Sequence, residues 1–213
     1  MKAKDLFIDR YHAGLQLAEL IANAQPTNPI VYGIPRGGVL VAAPIAHQLN
    51  CPLDVAIAKK IVLPAYPETA IGAVTTNGMG LEIGQRYCTD REWSQAVQQA
   101  QSKAYGLLHT FEPFRPQINI AGATAILVDD GIATGATIGA IAAVMKTMPY
   151  REVWVAVPVA PMRMPNAIAA YIDREILLMQ PTDFMSVSSF YRHFPEVTTS
   201  EALSCFRLNN SAE

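Results

Sequence analysis

Cysteine is scarce, with three in 213 residues, at positions 51, 88 and 205. Their wide spacing fits neither a disulfide framework nor a metal-binding knuckle. Reduced thiols in a cytoplasmic protein are the expectation. Four histidines, at 12, 47, 109 and 193, are equally scattered and form no ligand motif. No uninterrupted apolar run reaches the ~20 residues of a membrane span, because Pro44, His47, Gly139 and Lys146 break the richest stretches. The opening segment MKAKDLFIDR has acids where a secretory leader needs an apolar core. An excess of one charge is missing too. Sixteen basic and eighteen acidic residues leave a net charge of −2 and a pI near 6.1. That balance offers no attraction to nucleic acid or to an anionic membrane. Internal repeats and low-complexity linkers are absent as well.

What is present is a chain that is 51% apolar, enough to bury the core of one domain. Short β-branched runs alternate with segments of helical length. Ile30–Ile34, Pro52–Ile57, Thr124–Val128, Glu152–Pro158 and Glu175–Leu178 read as strands. Helical patterns occupy 4–22, with Asp5 as a candidate N-cap, then 39–49 and 138–145. In the first helix Leu6, Phe7, Tyr11, Leu15, Ala18 and Ile21 form the expected apolar face. Alternation of this kind predicts an α/β fold, a parallel sheet flanked by helices, with ligands bound beyond the carboxyl ends of the strands. An insertion of about 64–120 interrupts the core pattern. It carries a hairpin signal at Asn77-Gly78 and a helix over 91–108. An aromatic tail of about 181–206 closes the chain as a small C-terminal hood.

The chain is organised around TAILVDDGIATGAT, residues 124–137. An apolar strand ends in Asp129 and Asp130. Gly131, Ile132, Ala133, Thr134, Gly135, Ala136 and Thr137 follow, and then a helix. Small side chains leave loop amides bare, and the helix start adds free N–H groups and a positive dipole end. A phosphate monoester can sit there without a cationic side chain. Thr134 and Thr137 add hydroxyl donors. The two carboxylates accept hydrogen bonds only, so they suit sugar hydroxyls or a metal ion. An anion cradle beside hydroxyl acceptors fits a ribose 5-phosphate. The absence of lysine excludes the ATPase P-loop, and the three-glycine spacing of dinucleotide folds is missing.

A second strand–turn–helix passes through Pro35-Arg36-Gly37-Gly38, where the planar guanidinium of Arg36 suits phosphate oxygens. Lys59 and Lys60 follow the next strand, and that position places them at the same rim as Arg36.

VDDGIATGAT resembles the phosphoribosyl pyrophosphate (PRPP) motif of type I phosphoribosyltransferases, and FIDRYHAGLQLAELI and FMSVSSFYRHF are similar to the two ends of a predicted group within that family. The resemblance implies a set of roles. Asp129 and Asp130 would bind the ribose hydroxyls, with Mg²⁺ held mainly by PRPP and water. Gly131 through Thr137 would bind the 5-phosphate. Arg36, Gly37, Gly38, Lys59 and Lys60 would bind pyrophosphate in a loop that often holds a cis peptide, with Arg36 and Lys60 the catalytic cations. Phe184, Val187 and Tyr191 would line an acceptor pocket. The insertion would hold a mobile lid, with Glu68 or Arg86 as members. A homodimer is compatible with the family. Purine salvage enzymes for 6-oxopurines carry an aspartate base within the loop, and Ala133 stands at that position here. The implied activity is transfer of a 5-phosphoribosyl group from PRPP to a nitrogen acceptor of the nucleobase class with release of pyrophosphate, and this departure disfavours a 6-oxopurine. The alternative is a non-catalytic sensor of PRPP or a nucleotide.

Overall fold

The computed structural model describes residues 6–82, 88–162 and 166–210. Five parallel strands form the central sheet: β1 (Ile30–Gly33), β2 (Leu53–Val55), β6 (Thr124–Val128), β7 (Glu152–Val159) and β8 (Arg174–Met179), in the order β2-β1-β6-β7-β8. Strand alternation divides its side chains between two layers. Val31, Leu53, Ile126, Val128 and Trp154 face α1 (Arg10–Asn23), α2 (Gly37–Leu49) and α6 (Thr199–Asn210). Ile30, Tyr32, Leu127, Val155 and Val157 face α4 (Ala136–Met145). Residues buried on both faces explain why the strands read as continuous apolar runs. The short helix α5 (Asn166–Ala169) packs on α4. Among the described residues, no helix is long and apolar enough to cross a membrane.

The insertion is a separate three-stranded antiparallel sheet, β3 (Ala58–Leu63), β4 (Tyr66–Thr75) and β5 (Gly80–Glu82), covered by α3 (Asp90–Phe111). The hairpin expected at Asn77-Gly78 is present, with Gly78 at φ +82°. The insertion begins earlier than expected. Strand β2 stops at Val55, and Lys59 and Lys60 belong to β3 instead of ending a core strand.

The first helix also starts later than its pattern suggested. Asp9 is its N-cap, its carboxylate accepting from the His12 N–H at 2.8 Å, and Asp5 lies outside the described residues. With that start, Arg10, Ala13, Gly14, Leu17, Ala18 and Ile21 form the buried stripe, while Tyr11 and Leu15 are exposed. The expected hood divides in two. Residues 194–197 line the cavity at the strand ends, whereas α6 packs on α2 and the edge strand β2, with Phe206 buried against Phe111.

Candidate functional site

Register places the site. Gly33 of β1 pairs with Val128 of β6, so the chain leaves both strands at the same level. Beyond β1 come Pro35, Arg36, Gly37 and Gly38; beyond β6 come Asp129 and Asp130. The two turns cross closely. A Cβ on Gly38 would lie 2.6 Å from the Val128 carbonyl oxygen and 2.9 Å from Asp129 Cα, and one on Gly37 would collide with the Asp130 carboxylate. Glycine at both positions is therefore a steric requirement. The Pro35–Arg36 peptide is cis.

Two cavities meet at the acidic pair. One, of about 110 Å³, is lined by Asp129, Lys60 and Gly131 through Ile138, which includes Thr134 and Thr137. Gly135 caps α4 from the left-handed region, φ +74°, and brings no side chain to the first-turn amides. The Ala136 N–H lies 3.5 Å from Thr134 Oγ1, and the next amides of the turn, Thr137 and Ile138, are available to a bound anion. The other cavity, of about 540 Å³, is lined by Arg36, Gly37, Lys59, Asp129, Asp130, Arg10 and the segment 194–197. Asp129 borders both.

Adjacent residues of a strand point to opposite faces. Alternation along β3 therefore separates the two lysines that the sequence placed on one rim. Lys59 stands in the cavity with Arg36, and Lys60 in the cavity with the small-residue loop. Burial, then the charges of Arg36 and Lys103, hold the Lys59 ammonium below its ordinary range. The larger cavity thus sets three cations, Arg10, Arg36 and Lys59, against three carboxylates, Asp129, Asp130 and Glu196, with Arg36 and Lys59 close enough for their charges to repel.

Burial pushes the Asp129 carboxyl well above the usual carboxylate range, and the adjacent Asp130 charge adds to it. Burial raises Asp130 as well, opposed by Arg10. Among the described residues no group of three potential metal ligands gathers. Two carboxylates that lack a full counter-charge fit a hard divalent ion whose remaining oxygens come from a ligand and from water.

Arg10 carries no role in the sequence reading, yet it is the main counter-ion of the pair. Its Nε donates to Asp130 Oδ2 at 2.8 Å, and the side chain is 8% exposed. Tyr191 donates its hydroxyl to the Asp130 carbonyl at 2.7 Å. Tyr191 is buried between Phe7 and Phe194, so it anchors Asp130 instead of offering a ring face to an acceptor. Val187 packs where a Cβ on Gly131 would fall, and Phe184 stacks on Phe190 with centroids 5.7 Å apart. Both are half-buried, and neither lines the two cavities, so the acceptor pocket expected at these residues is not formed by them here. Of the lid candidates, Arg86 and the side chain of Glu68 lie outside the described residues.

The phosphoribosyl transferase domain model matches residues 12–184. Two Mycobacterium tuberculosis proteins, each named "Putative phosphoribosyl transferase", are 35% identical over 202 residues, covering 93% of this chain and 46% of theirs. The chain thus spans about half the length of the curated relatives it matches. The crystal structure of TT1426 from Thermus thermophilus superposes with a TM-score of 0.80 at 34% identity, covering 95% of this chain and 98% of that one. A hypothetical protein from Neisseria gonorrhoeae, solved with bound ppGpp, shares the fold at 13% identity and a TM-score of 0.50, covering 93% of this chain and 92% of its own.

Proposed function

Because this chain belongs to the phosphoribosyl transferase family, we propose that it transfers a 5-phosphoribosyl group from PRPP to a nucleobase nitrogen and releases pyrophosphate. One observation carries the reading. Two cavities of different chemistry, one lined by the small-residue loop and one by Arg36 and Lys59, share Asp129 as a wall. A ribose carrying phosphate at one end and pyrophosphate at the other matches that layout.

In this reading the loop from Gly131 to Thr137 takes the 5-phosphate through its uncommitted amides and the Thr134 and Thr137 hydroxyls, the Ile132 N–H being held by the Val159 carbonyl at 2.9 Å, with Lys60 at the edge of the same cavity. Asp129 and Asp130 accept the ribose 2′- and 3′-hydroxyls. Arg36, Lys59 and the Gly37 amide take the pyrophosphate; the Gly38 N–H, expected to join them, is already given to the Ile34 carbonyl at 3.0 Å. Mg²⁺, when bound beside Asp129 and Asp130, supplies charge neutralisation to the leaving group. The bond from C1 to the pyrophosphate oxygen breaks and its electron pair leaves with that oxygen. The acceptor nitrogen donates its lone pair to C1 and releases its proton. The transition state has oxocarbenium character, so the protein's part is to orient the sugar and stabilise the departing charge. Ala133 brings no carboxylate to the acceptor, which disfavours bases that need an in-loop general base, the 6-oxopurines among them.

The test is pyrophosphate release from PRPP and Mg²⁺ with pooled nucleobases and small amines, against a control without acceptor. Acceptor-dependent release establishes the transferase, and dividing the pool names the acceptor. PRPP binding without release from any pool would replace the enzyme with a non-catalytic PRPP sensor.

A further inference from the structure

We infer that Arg10 is a positioning residue of the ribose site, holding Asp130 in place and fastening the C-terminal segment over it. The inference rests on the functional reading above, since it concerns the same acidic pair.

The chain delivers Arg10 through a specific local device. The N-terminal arm joins the tail as a parallel bridge between Phe7 and Tyr191. Phe7 N–H donates to the Phe190 carbonyl at 2.9 Å, Arg192 N–H to the Phe7 carbonyl at 2.8 Å, and His193 N–H to the Ile8 carbonyl at 3.0 Å. Asp9 then caps α1, which makes Arg10 the first helical residue. From there its side chain turns inward and its fork is divided. Nε goes to the Asp130 carboxylate, and Nη1 donates to the Pro195 carbonyl at 2.9 Å. The guanidinium lies over the Phe194 ring, 3.7 Å from its centroid. A cation stacked on an aromatic face and bonded at both ends has little freedom.

Asp130 is consequently gripped at two points, its carboxylate by Arg10 and its carbonyl by Tyr191. One of its two carboxylate oxygens is committed to the protein, which leaves the other for a ligand hydroxyl. Gly37 fits against the same contact, with a would-be Cβ only 3.0 Å from Arg10 Nε. Arg10 thus sits where the arm, the tail, the acidic pair and the arginine turn meet. Lysine cannot replace it, because a single ammonium cannot span Asp130 and Pro195 in one plane.

The experiment compares two probes, ribose 5-phosphate and inorganic phosphate, titrated into the full chain by calorimetry. Arg10→Met keeps the apolar stem over Phe194 and removes the fork. Loss of a buried charge-assisted contact to the sugar-binding carboxylate should weaken ribose 5-phosphate binding about tenfold or more. Inorganic phosphate, held by the loop alone, should change less than about twofold. Arg10→Lys should restore thermal stability in part but leave ribose 5-phosphate binding weak. In a double-mutant cycle, Asp130→Asn should cost less in the Arg10→Met background than in the wild type, since the two residues act as one unit. Equal losses for both probes would make Arg10 merely structural and overturn the inference, as would full ribose 5-phosphate affinity in Arg10→Lys. If Arg10→Met fails to fold, the Arg10→Lys comparison decides alone. A wild-type protein that binds neither probe would instead overturn the functional reading, and this inference with it.

Discussion

Arg36 Nη2 lies 2.6 Å from Glu196 Oε1, so the cation at the mouth of the larger cavity is already engaged by a carboxylate from the tail. The glutamate follows Pro195, whose carbonyl is fixed by Arg10, and its side chain is 82% exposed. A pyrophosphate that approaches Arg36 has to displace it. Exposed pairs of this kind are worth about 0–1 kcal/mol, so the competition is mild. Glu196→Gln should tighten Mg-pyrophosphate binding by up to about fivefold. The gain should fade in high salt, where such pairs are screened. Titration calorimetry at low and high ionic strength checks this. Unchanged or weaker binding at low salt would mean that Glu196 does not compete for Arg36.

The acidic pair makes a prediction whose sign depends on pH. Burial raises both carboxyls in the folded state, and the Asp130 charge adds to the rise at Asp129. Between the unfolded value near 4 and the raised folded value, the folded protein binds more protons than the unfolded chain. Stability therefore falls as pH rises through that window, and the ionised pair is a net cost at neutral pH. Asp129→Asn removes this cost and can still accept the Asp130 N–H, now 2.9 Å from Asp129 Oδ1. The variant should melt higher than the wild type at pH 7.5 without ligand, with the difference shrinking towards pH 4. A rise of about 2–4 °C corresponds to about 1 kcal/mol for a chain of this size. A lower melting temperature at pH 7.5 would contradict the assignment. Ligand binding should be lost in the same variant, as expected where a site stores unfavourable charge.

The parts of this site that were legible in the sequence are those whose physics is local. Strand, acid pair, small-residue loop and helix follow one another within 124–137, and the structure keeps that order. The same holds for the arginine turn and the hairpin at Asn77-Gly78. What stayed hidden depends on contacts distant along the chain. Arg10 and Asp130 are 120 positions apart, and no periodicity links them. Lys59 and Lys60 read as the end of a core strand because nothing in LDVAIAKK marks the change of sheet after Val55. Once both lie within β3, alternation sends them to different cavities. The aromatic tail was visible as composition alone. Whether a ring stacks on a ligand or on its neighbours is a matter of packing, and Tyr191 proves to be buried among Phe7 and Phe194.

A control for these site variants lies at the far edge of the sheet. Asp54 is 3% exposed, and its carboxylate takes Arg115 in a fork, Nε to Oδ1 at 2.7 Å and Nη2 to Oδ2 at 2.6 Å, along with the Val55 N–H. This pair ties the connector after α3 to strand β2. Asp54→Ala leaves the partly exposed Arg115 guanidinium without its partner and the buried Val55 N–H without its acceptor, and should destabilise the protein by about 1–3 kcal/mol. Neither cavity of the site includes Asp54 or Arg115. Ribose 5-phosphate and pyrophosphate affinities should stay within about twofold of wild type at temperatures where the variant is folded. Chemical denaturation and titration of the same preparation test both halves.

Gly38 offers the complementary perturbation, because the two turns of the site press against each other there. The atoms that a Cβ would meet, the Val128 carbonyl oxygen and Asp129 Cα, are main-chain atoms at the end of a central strand. No rotamer change can relieve such a clash, so the arginine turn has to move away from the acidic pair. Gly38→Ala should cost about 1–3 kcal/mol of stability by overpacking. Its effect on binding should also be less selective than that of the other variants. Glu196→Gln should alter pyrophosphate binding alone, and Arg10→Met should alter ribose 5-phosphate binding but spare inorganic phosphate. Gly38→Ala displaces the arginine turn and the acidic pair together, so under the proposed roles both affinities should fall in parallel. If only pyrophosphate binding falls, the strand end holds while the turn yields, and the two cavities are less tightly joined at Asp129 than their shared wall implies.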